Sequence, residues 1–397
     1  MRYSTSRQKA CYQCSSAKAK CDHTEGSCSR CTLRGLTCIY PANASTPASR
    51  SSRRHVQRSH DGPTSQAGPS LSTVAASGSS GSIGQETQDN LDFGGLELIC
   101  PINVDEIATR WLHPYVPAPG QVTKDYHPRI FDLICRVLKS YANGTIRGTK
   151  YPPFIHASQL QVPAPSQPLA NCLSIARICD TSRPAGGGQL ASEILQKEMS
   201  KMIDQTALAV PPEIDLLATF QAYLIYTMIL FFFHLNQGEN LSSLRQAMMS
   251  LQDLACTTSR QGLVCAADRQ HARPSWEAWL VTEAKRRTLY VLYLFDNVLS
   301  RHEGLPTFLG TELRGLPAPA SKALWEARSR QEWELGYNGH LARWPEGGLR
   351  IDELWAMPAE LDEAGVARRR ARVDEWLVDV DEFGMMVYTV TSCTHGG

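Results

Sequence analysis

Apolar residues recur at intervals of three and four positions over most of the chain from about residue 96 onward. This spacing places them on one face of an α-helix, whereas a half-buried strand would alternate every second residue. Proline pairs at 152–153 and 211–212 and a glycine triplet at 186–188 interrupt the pattern. The pattern predicts a large all-α domain with helices at residues 104–112, 130–141, 190–203, 214–234, 241–256, 276–300, 322–334 and 366–380.

Residues 214–233 form an apolar run that approaches the length of a membrane-spanning helix. The run contains Asp215, Gln221 and two threonines, and no positively charged cluster lies close to either end. We therefore interpret it as a fully buried core helix and expect no contact with a membrane.

Residues 41–93 have a different composition, because Ser, Pro, Gly and Ala dominate and large apolar residues are nearly absent. Such a segment buries too little surface to offset its ordering entropy, which predicts a disordered linker. It has no heptad pattern, so no coiled coil is expected directly after residue 40. The predicted organisation is a head at residues 1–40, a linker at 41–93 and an all-α body at 94–397.

Charge is distributed unevenly along the chain. Residues 1–60 contain eleven Lys or Arg and two acidic residues, a net charge of +9, whereas the whole chain has a formal net charge of +1. A basic head on an acidic body is expected when one end meets a polyanion. A basic cluster in the linker is a candidate nuclear import signal or an additional DNA-contacting arm, the alternative being a solvated charge run. Its arginines are Arg50, Arg53, Arg54 and Arg58.

Six of the thirteen cysteines lie within residues 11–38, in two matching triplets with the spacing C-x2-C-x6-C. They are Cys11, Cys14, Cys21, Cys28, Cys31 and Cys38. The start of the chain has no apolar signal region, so we expect a reducing compartment, where closely spaced cysteines favour metal over disulfides. Six thiolates can serve two tetrahedral zinc ions if two of them bridge. The alternatives are a four-cysteine zinc knuckle with two spare thiols, or a disulfide knot.

The segment RQKACYQCSSAKAKCD followed by CSRCTLRGLTCIYP resembles the zinc binuclear cluster of fungal transcription factors. The resemblance implies two structural zinc ions bridged by Cys11 and Cys28. Cys14 and Cys21 would complete one ligand set, and Cys31 and Cys38 the other. Each half is expected to form a short helix, at residues 14–18 and 31–34, with Gly35 ending the second.

The resemblance also implies a DNA contact. The base-reading lysine of the family corresponds to Lys18, which would contact guanine in a CGG-like triplet through the major groove. The alternative for Lys18 is a solvated surface lysine. Candidate phosphate contacts are Arg7, Lys9, Lys20, Arg30 and Arg34. The chain departs from the family pattern where 15–17 (Ser-Ser-Ala) replaces most of a basic run, and where Gly26 replaces a common proline.

Residues 276–300 resemble a helix of the fungal transcription factor regulatory domain, often called the middle homology region. Glu283, Arg286, Arg287 and Asp296 match its usual polar positions, and residues 324–337 resemble a further part of it. Residues 374–386 interleave acidic and apolar residues, which is typical of activation segments that engage a coactivator. We favour the alternative, a surface helix whose apolar side is docked. The cysteine pairs 172/179 and 256/265 are interpreted as core residues rather than redox pairs.

No phosphate-binding loop, nucleophile elbow or zinc-enzyme motif is present in the sequence, so we expect no enzyme. The predicted function is a nuclear, sequence-specific regulator of RNA polymerase II transcription, whose partners are duplex DNA, the transcription machinery and a possible second copy. By analogy, compact regulators of this kind control gene clusters for specialised metabolites. Rival hypotheses are a zinc enzyme or metal store, and an interaction module without DNA affinity.

Overall fold

The computed structural model describes residues 10–11, 14, 19–22, 28–34, 38, 91–112, 116, 122–160, 166–181, 187–209, 211–234 and 241–395. The predicted linker up to residue 90 lies outside these residues, as do Arg7, Lys9, Lys18 and the arginine cluster at 50–58. The chain divides into two compact units, Met1–Gly81 and Ser82–Gly397.

The described part of the first unit contains one helix, α1 (Ser29–Leu33). It begins directly after Cys28, whose extended backbone allows the chain to turn into the helix. The predicted helix at 31–34 is therefore present but starts two residues earlier. Cys14 is also helical, while the rest of the predicted helix at 14–18 and Gly35 lie outside the described residues.

The second unit is predominantly helical, as expected. Short 3-10 turns and loops connect its helices, and a single π turn (Leu230–His234) follows α6. The described helices are α2 (Asp105–Thr109), α3 (Pro128–Arg147), α4 (Gln167–Thr181), α5 (Gly187–Leu208), α6 (Glu213–Ile229), α7 (Leu241–Arg260), α8 (Trp276–His302), α9 (Lys322–Trp325), α10 (Arg330–Arg343), α11 (Glu363–Leu377) and α12 (Glu382–His395).

Helix α6 is the centre of the body. It packs against α3, α4, α5, α7 and α8, and every residue from Leu216 to Ile229 is buried. By length and composition the stretch Glu213–Phe233 could cross a membrane, but 83% of its most apolar window is buried inside the fold. The polar side chain of Gln221 has a hydrogen-bond partner in this core, because its amide donates to the Phe154 carbonyl at 2.7 Å. The interpretation as a core helix is confirmed.

Two short strands correct the all-α expectation. Strand β1 (Leu98–Ile99) pairs antiparallel with β2 (Val264–Cys265), which brings the start of the body against the segment before α8. Gly262 precedes β2 with a φ of 109°, and a Cβ atom there would lie 2.4 Å from that of Leu98. Only glycine fits this close approach. Two-residue strands carry no alternating pattern, so periodicity could not reveal them.

Several details of the helix prediction need correction. The helix predicted at 322–334 is two helices, α9 and α10, because Ser329 caps α10 by accepting from the Glu332 amide at 3.2 Å. The glycine triplet at 186–188 was expected to separate two helices, but α5 begins inside it at Gly187. Helices α4 and α12 were not predicted. Leu91 and Phe93, assigned to the linker, pack against the body core.

Helix α8 carries the polar residues singled out by the regulatory-domain resemblance, and all four are buried. Glu283 accepts from Arg286 and Arg287 at 2.7 Å each, and from the Ala320 amide at 2.9 Å. Asp296 accepts from Arg110 Nε at 2.8 Å. Arg110, which the sequence analysis missed, also donates to Glu312 at 2.8 Å. Through these contacts α8 is held to the loop at Ala320 and to Arg110, which in turn binds Glu312.

The acidic-apolar segment at 374–386 was expected to be one docked surface helix, but it spans the end of α11 and the start of α12, and Val378 between them is 74% exposed. Most of its other apolar side chains are docked. Trp376 is buried and its indole N–H donates to the Pro319 carbonyl at 2.8 Å, while Phe383 and Met386 are also buried. The cysteines at 172, 179, 256 and 265 are all buried in the body. Cys265 Sγ lies 3.4 Å from Thr282 Oγ1, so it packs against α8 rather than against another thiol.

Candidate metal centre

The six cysteines of the head come together in two overlapping groups of four. Cys11, Cys14, Cys21 and Cys28 form one group, and Cys11, Cys28, Cys31 and Cys38 form the other. Within each group all sulfur atoms lie within 4.8 Å of one another. Cys11 and Cys28 belong to both groups, which is the arrangement that two bridging thiolates require.

The sulfur separations fit zinc. Zinc binds thiolates at about 2.3 Å, and tetrahedral geometry then places neighbouring sulfurs about 3.8 Å apart. The distance from Cys11 Sγ to Cys28 Sγ is 3.8 Å, that from Cys11 to Cys31 is 3.8 Å, and that from Cys14 to Cys28 is 3.6 Å. These separations are far longer than the bond of about 2.05 Å in a disulfide. The cluster therefore fits two zinc ions and does not have the geometry of a disulfide knot.

The backbone around the cysteines fixes these positions. Cys11, Cys14, Cys28 and Cys31 are completely buried, and the partly buried residues that pack against them within the described head are Ala10, Cys21 and Cys38. The helical turn of α1 places Cys31 three residues beyond Cys28, and the Thr32 amide donates to the Cys28 carbonyl at 3.0 Å. A cluster of thiols is the only core that the described head has, so metal binding must supply its folding free energy.

Two polar residues support the cluster from outside. Asp22 accepts from the Ser29 amide at 3.2 Å and from the Ser29 hydroxyl, which ties the end of the first cysteine triplet to the start of α1. Arg30 is partly buried, and its Nη1 lies 3.9 Å from Cys14 Sγ. Arg30 thus links the two halves and places a positive charge beside a thiolate. The sequence analysis assigned Arg30 only to phosphate and missed Asp22, although an Asp directly after a ligand cysteine was visible.

Protons and zinc compete for these sulfurs. Burial raises the pKa of the Cys11 thiol to about 12. The backbone N–H of Cys28, 3.3 Å from Cys38 Sγ, lowers the pKa of the Cys38 thiol. Zinc binding has to displace the proton from Cys11, so zinc affinity must depend on pH.

The described head presents two exposed cations, Lys20 and Arg34. Both belong to the predicted phosphate contacts, and their exposure is compatible with that role. Leu33 on α1 is 87% exposed, beside Arg34. Arg7, Lys9 and Lys18 lie outside the described residues, so their roles stay predictions. Arg50, Arg53, Arg54 and Arg58 also lie outside the described residues, so the import signal stays a prediction as well.

Residues 9–47 match the model of the fungal Zn(2)-Cys(6) binuclear cluster domain. The match spans all six cysteines, and this domain in general implies a DNA-binding transcription factor that carries zinc. The match does not extend to the body. No curated protein and no solved structure gave a match to the chain.

Proposed function

We propose that the protein is a transcription factor whose two-zinc head binds a short duplex DNA site by direct contact with its bases. The observation that carries the proposal is the pair of cysteine quartets that share Cys11 and Cys28. Six thiolates on two zinc ions leave no open coordination position, which an enzyme site needs. The metal is therefore a structural one, and the chemistry of the head is recognition.

Electrostatics supports DNA as the partner. Two zinc ions add four positive charges against six thiolates, so the metal centre has a charge near −2 and residues 1–60, at +9 by side-chain count, stay near +7. Lys20 and Arg34 are exposed on the described surface, where they can meet phosphates. In the proposal Lys18 reads guanine at a CGG-like triplet, and Arg7 and Lys9 join the phosphate contacts.

The finer parts of the proposal concern the body and the cell. The helical body acts as a regulatory domain of the fungal transcription factor type, and the protein works in the nucleus on RNA polymerase II promoters. A coactivator or a second copy of the chain is its protein partner. Control of a gene cluster for a specialised metabolite is part of the same proposal and rests on analogy alone.

Binding of labelled duplexes by the zinc-loaded full chain tests the proposal. A duplex with CGG triplets should bind more tightly than a duplex of shuffled sequence, and affinity should fall steeply with salt, because each phosphate contact releases counterions. The log-log slope should be about −0.9 for each phosphate contacted.

A chelator provides the matched control, since removal of zinc should abolish the preference for the CGG duplex. Equal affinity for both duplexes, or binding that salt does not weaken, would refute sequence-specific recognition. A zinc-loaded chain that binds neither duplex would instead favour the interaction module that lacks DNA affinity.

A further inference from the structure

The body contains a cavity of about 660 Å³ that the sequence analysis did not anticipate. Its walls come from β2 and the turn after it, from α8, from α10 and from the loops at 314–323 and 344–350. The volume falls within the range of about 300–1,000 Å³ found for small-molecule sites. All of its lining residues belong to the second unit, so the cavity does not depend on the zinc head.

Aromatic rings form one wall of the cavity. Tyr337 and His340 on α10 have ring centroids 5.5 Å apart, and His340 and Trp344 follow at 6.3 Å. These three residues line the cavity together with Trp279 of α8. Burial lowers the pKa of His340, so its imidazole is neutral at pH 7 and offers one hydrogen-bond donor and one acceptor. Aromatic walls of this kind suit a planar ring by stacking or edge-to-face contact.

Two glycines line the cavity in the middle of α10, and a Cβ atom on the first, Gly336, would lie 3.1 Å from Leu324 Cδ2. Gly336 and Gly339 lie three residues apart, on one side of the helix, and both line the cavity. Glycine weakens a helix interior relative to alanine. A Cβ atom on Gly339 would meet nothing within 4 Å, so packing does not explain its presence. Gly339 instead borders the open space of the cavity.

Five arginines and four carboxylates line the cavity, which leaves one positive charge in excess. Arg269, Arg314 and Arg350 line it, and none of the three forms an ion pair with a carboxylate of the described residues. Of the lining carboxylates, Asp379 is paired with Arg343 and Glu283 with Arg286, and Asp268 accepts from the Tyr337 hydroxyl at 2.7 Å. Glu346 forms no ion pair among the described residues. Arg314 lies over the Trp355 ring at 6.0 Å from its centroid, so the exposed guanidinium groups of Arg269 and Arg350 are the ones available at the rim for a carboxylate or sulfonate.

We propose that this cavity binds a small planar aromatic acid, with the ring against Tyr337, His340 and Trp344 and the acid group towards Arg269 and Arg350. The site goes beyond the DNA-binding function proposed above, and either proposal can fail without the other. A regulator with such a site would have a place for a small-molecule effector in its body.

The test uses anilinonaphthalene sulfonate, an aromatic anion whose fluorescence rises on binding, with the zinc-loaded full chain. Phenylnaphthylamine, which has the same rings without the sulfonate, is the uncharged comparison. We expect saturable binding of the sulfonate, with the uncharged dye weaker by about tenfold. Gly339→Leu should weaken binding of the sulfonate dye by about tenfold or more, because the larger side chain fills the cavity. Gly339→Ala should change that affinity by less than about twofold.

A second pair of variants tests the charge. The double variant Arg269→Gln/Arg350→Gln should weaken binding of the sulfonate dye but not binding of the uncharged dye. The control Arg368→Gln/Arg370→Gln removes the same charge from exposed residues of α11 that do not line the cavity, and it should leave both dyes unchanged. Helix content and thermal melting should confirm that each variant is folded. The proposal is wrong if the sulfonate does not saturate, if Gly339→Leu binds it as wild type does, or if both double variants behave alike.

Discussion

Arg287 Nη1 lies 2.5 Å from Asp381 Oδ2, although the two residues are 94 positions apart in the chain. Both side chains are buried, and the pair joins the middle of α8 to the start of α12. Asp381 also accepts from the Gly384 amide at 2.9 Å, so it anchors the first turn of α12. The same guanidinium donates to Glu283 at 2.7 Å and lies 4.2 Å from the centroid of the Trp325 ring. Arg287 is therefore the point where α8, α9 and α12 are held together.

Arg287→Met should destabilise the body by about 3–5 kcal/mol, because it leaves Glu283 and Asp381 buried without their shared cation. Urea unfolding followed by circular dichroism measures the free energy of unfolding. Arg343→Met is a matched control, since its partner Asp379 lies at the same 2.5 Å but the two side chains are 45% and 37% exposed. That change should cost less than about 1 kcal/mol. Equal losses in the two variants would contradict the role given to Arg287.

Acid should destabilise the body through Glu283. Burial acts to raise the pKa of Glu283, but Arg286, Arg287 and the Ala320 amide together lower it below its ordinary value of 4.5. The unfolded chain therefore takes up a proton at a higher pH than the folded chain does. The stabilisation is fully present above about pH 4.5 and is lost as the pH falls towards the folded-state pKa.

Glu283→Gln tests this dependence. The variant should be less stable at neutral pH, because Arg286 and Arg287 lose a buried partner, and its stability should fall less steeply below pH 4.5. Unfolding free energies across a series of pH values measure both effects. A variant that retains the wild-type slope in acid would show that other carboxylates cause the loss.

Cys11→Ser should remove a ligand from both quartets, whereas Cys21→Ser removes one from a single quartet. We expect Cys11→Ser to lose zinc from both sites and to unfold the head, and Cys21→Ser to retain more bound zinc. Atomic absorption on purified protein gives the zinc content, and amide spectra of the head report its folding. Cys393→Ser changes an exposed thiol of the body and should leave two zinc ions bound. A Cys11→Ser protein with two equivalents of zinc would disprove the bridging role.

Part of the metal centre could be predicted because it is local: Cys28 and Cys31 are three residues apart, so their sulfurs can reach one ion. The sharing of Cys11 and Cys28, which are 17 positions apart, was implied only by the family resemblance. The core helix at 214–233 was also predictable, since few polar residues interrupt its apolar run. Ser329 shows the limit, because a helix start inside a periodic pattern depends on one side chain that accepts from a backbone amide.

The buried ion pairs show why the rest could not be predicted. Arg110 meets Asp296 from 186 residues away, and no feature of the sequence near Arg110 marks it as a buried residue. The cavity depends on the same long-range packing, because α8, α10 and distant loops form its walls. Gly336 and Gly339 were a visible signal, as two glycines in one helix are unfavourable without a reason.

Lys18→Ala should separate base reading from simple charge. If Lys18 contacts guanine, the change should cost about 1–3 kcal/mol on a CGG duplex and little on a shuffled duplex, because only the specific contact is lost. Lys20→Ala removes the same charge two residues away, at an exposed position of the described head. If Lys20 contacts a phosphate, Lys20→Ala should weaken binding to both duplexes about equally and make the salt slope about one unit shallower. Anisotropy titrations at several salt concentrations measure both quantities. If Lys18→Ala behaves as Lys20→Ala does, Lys18 contacts phosphate and the triplet must be read by another residue.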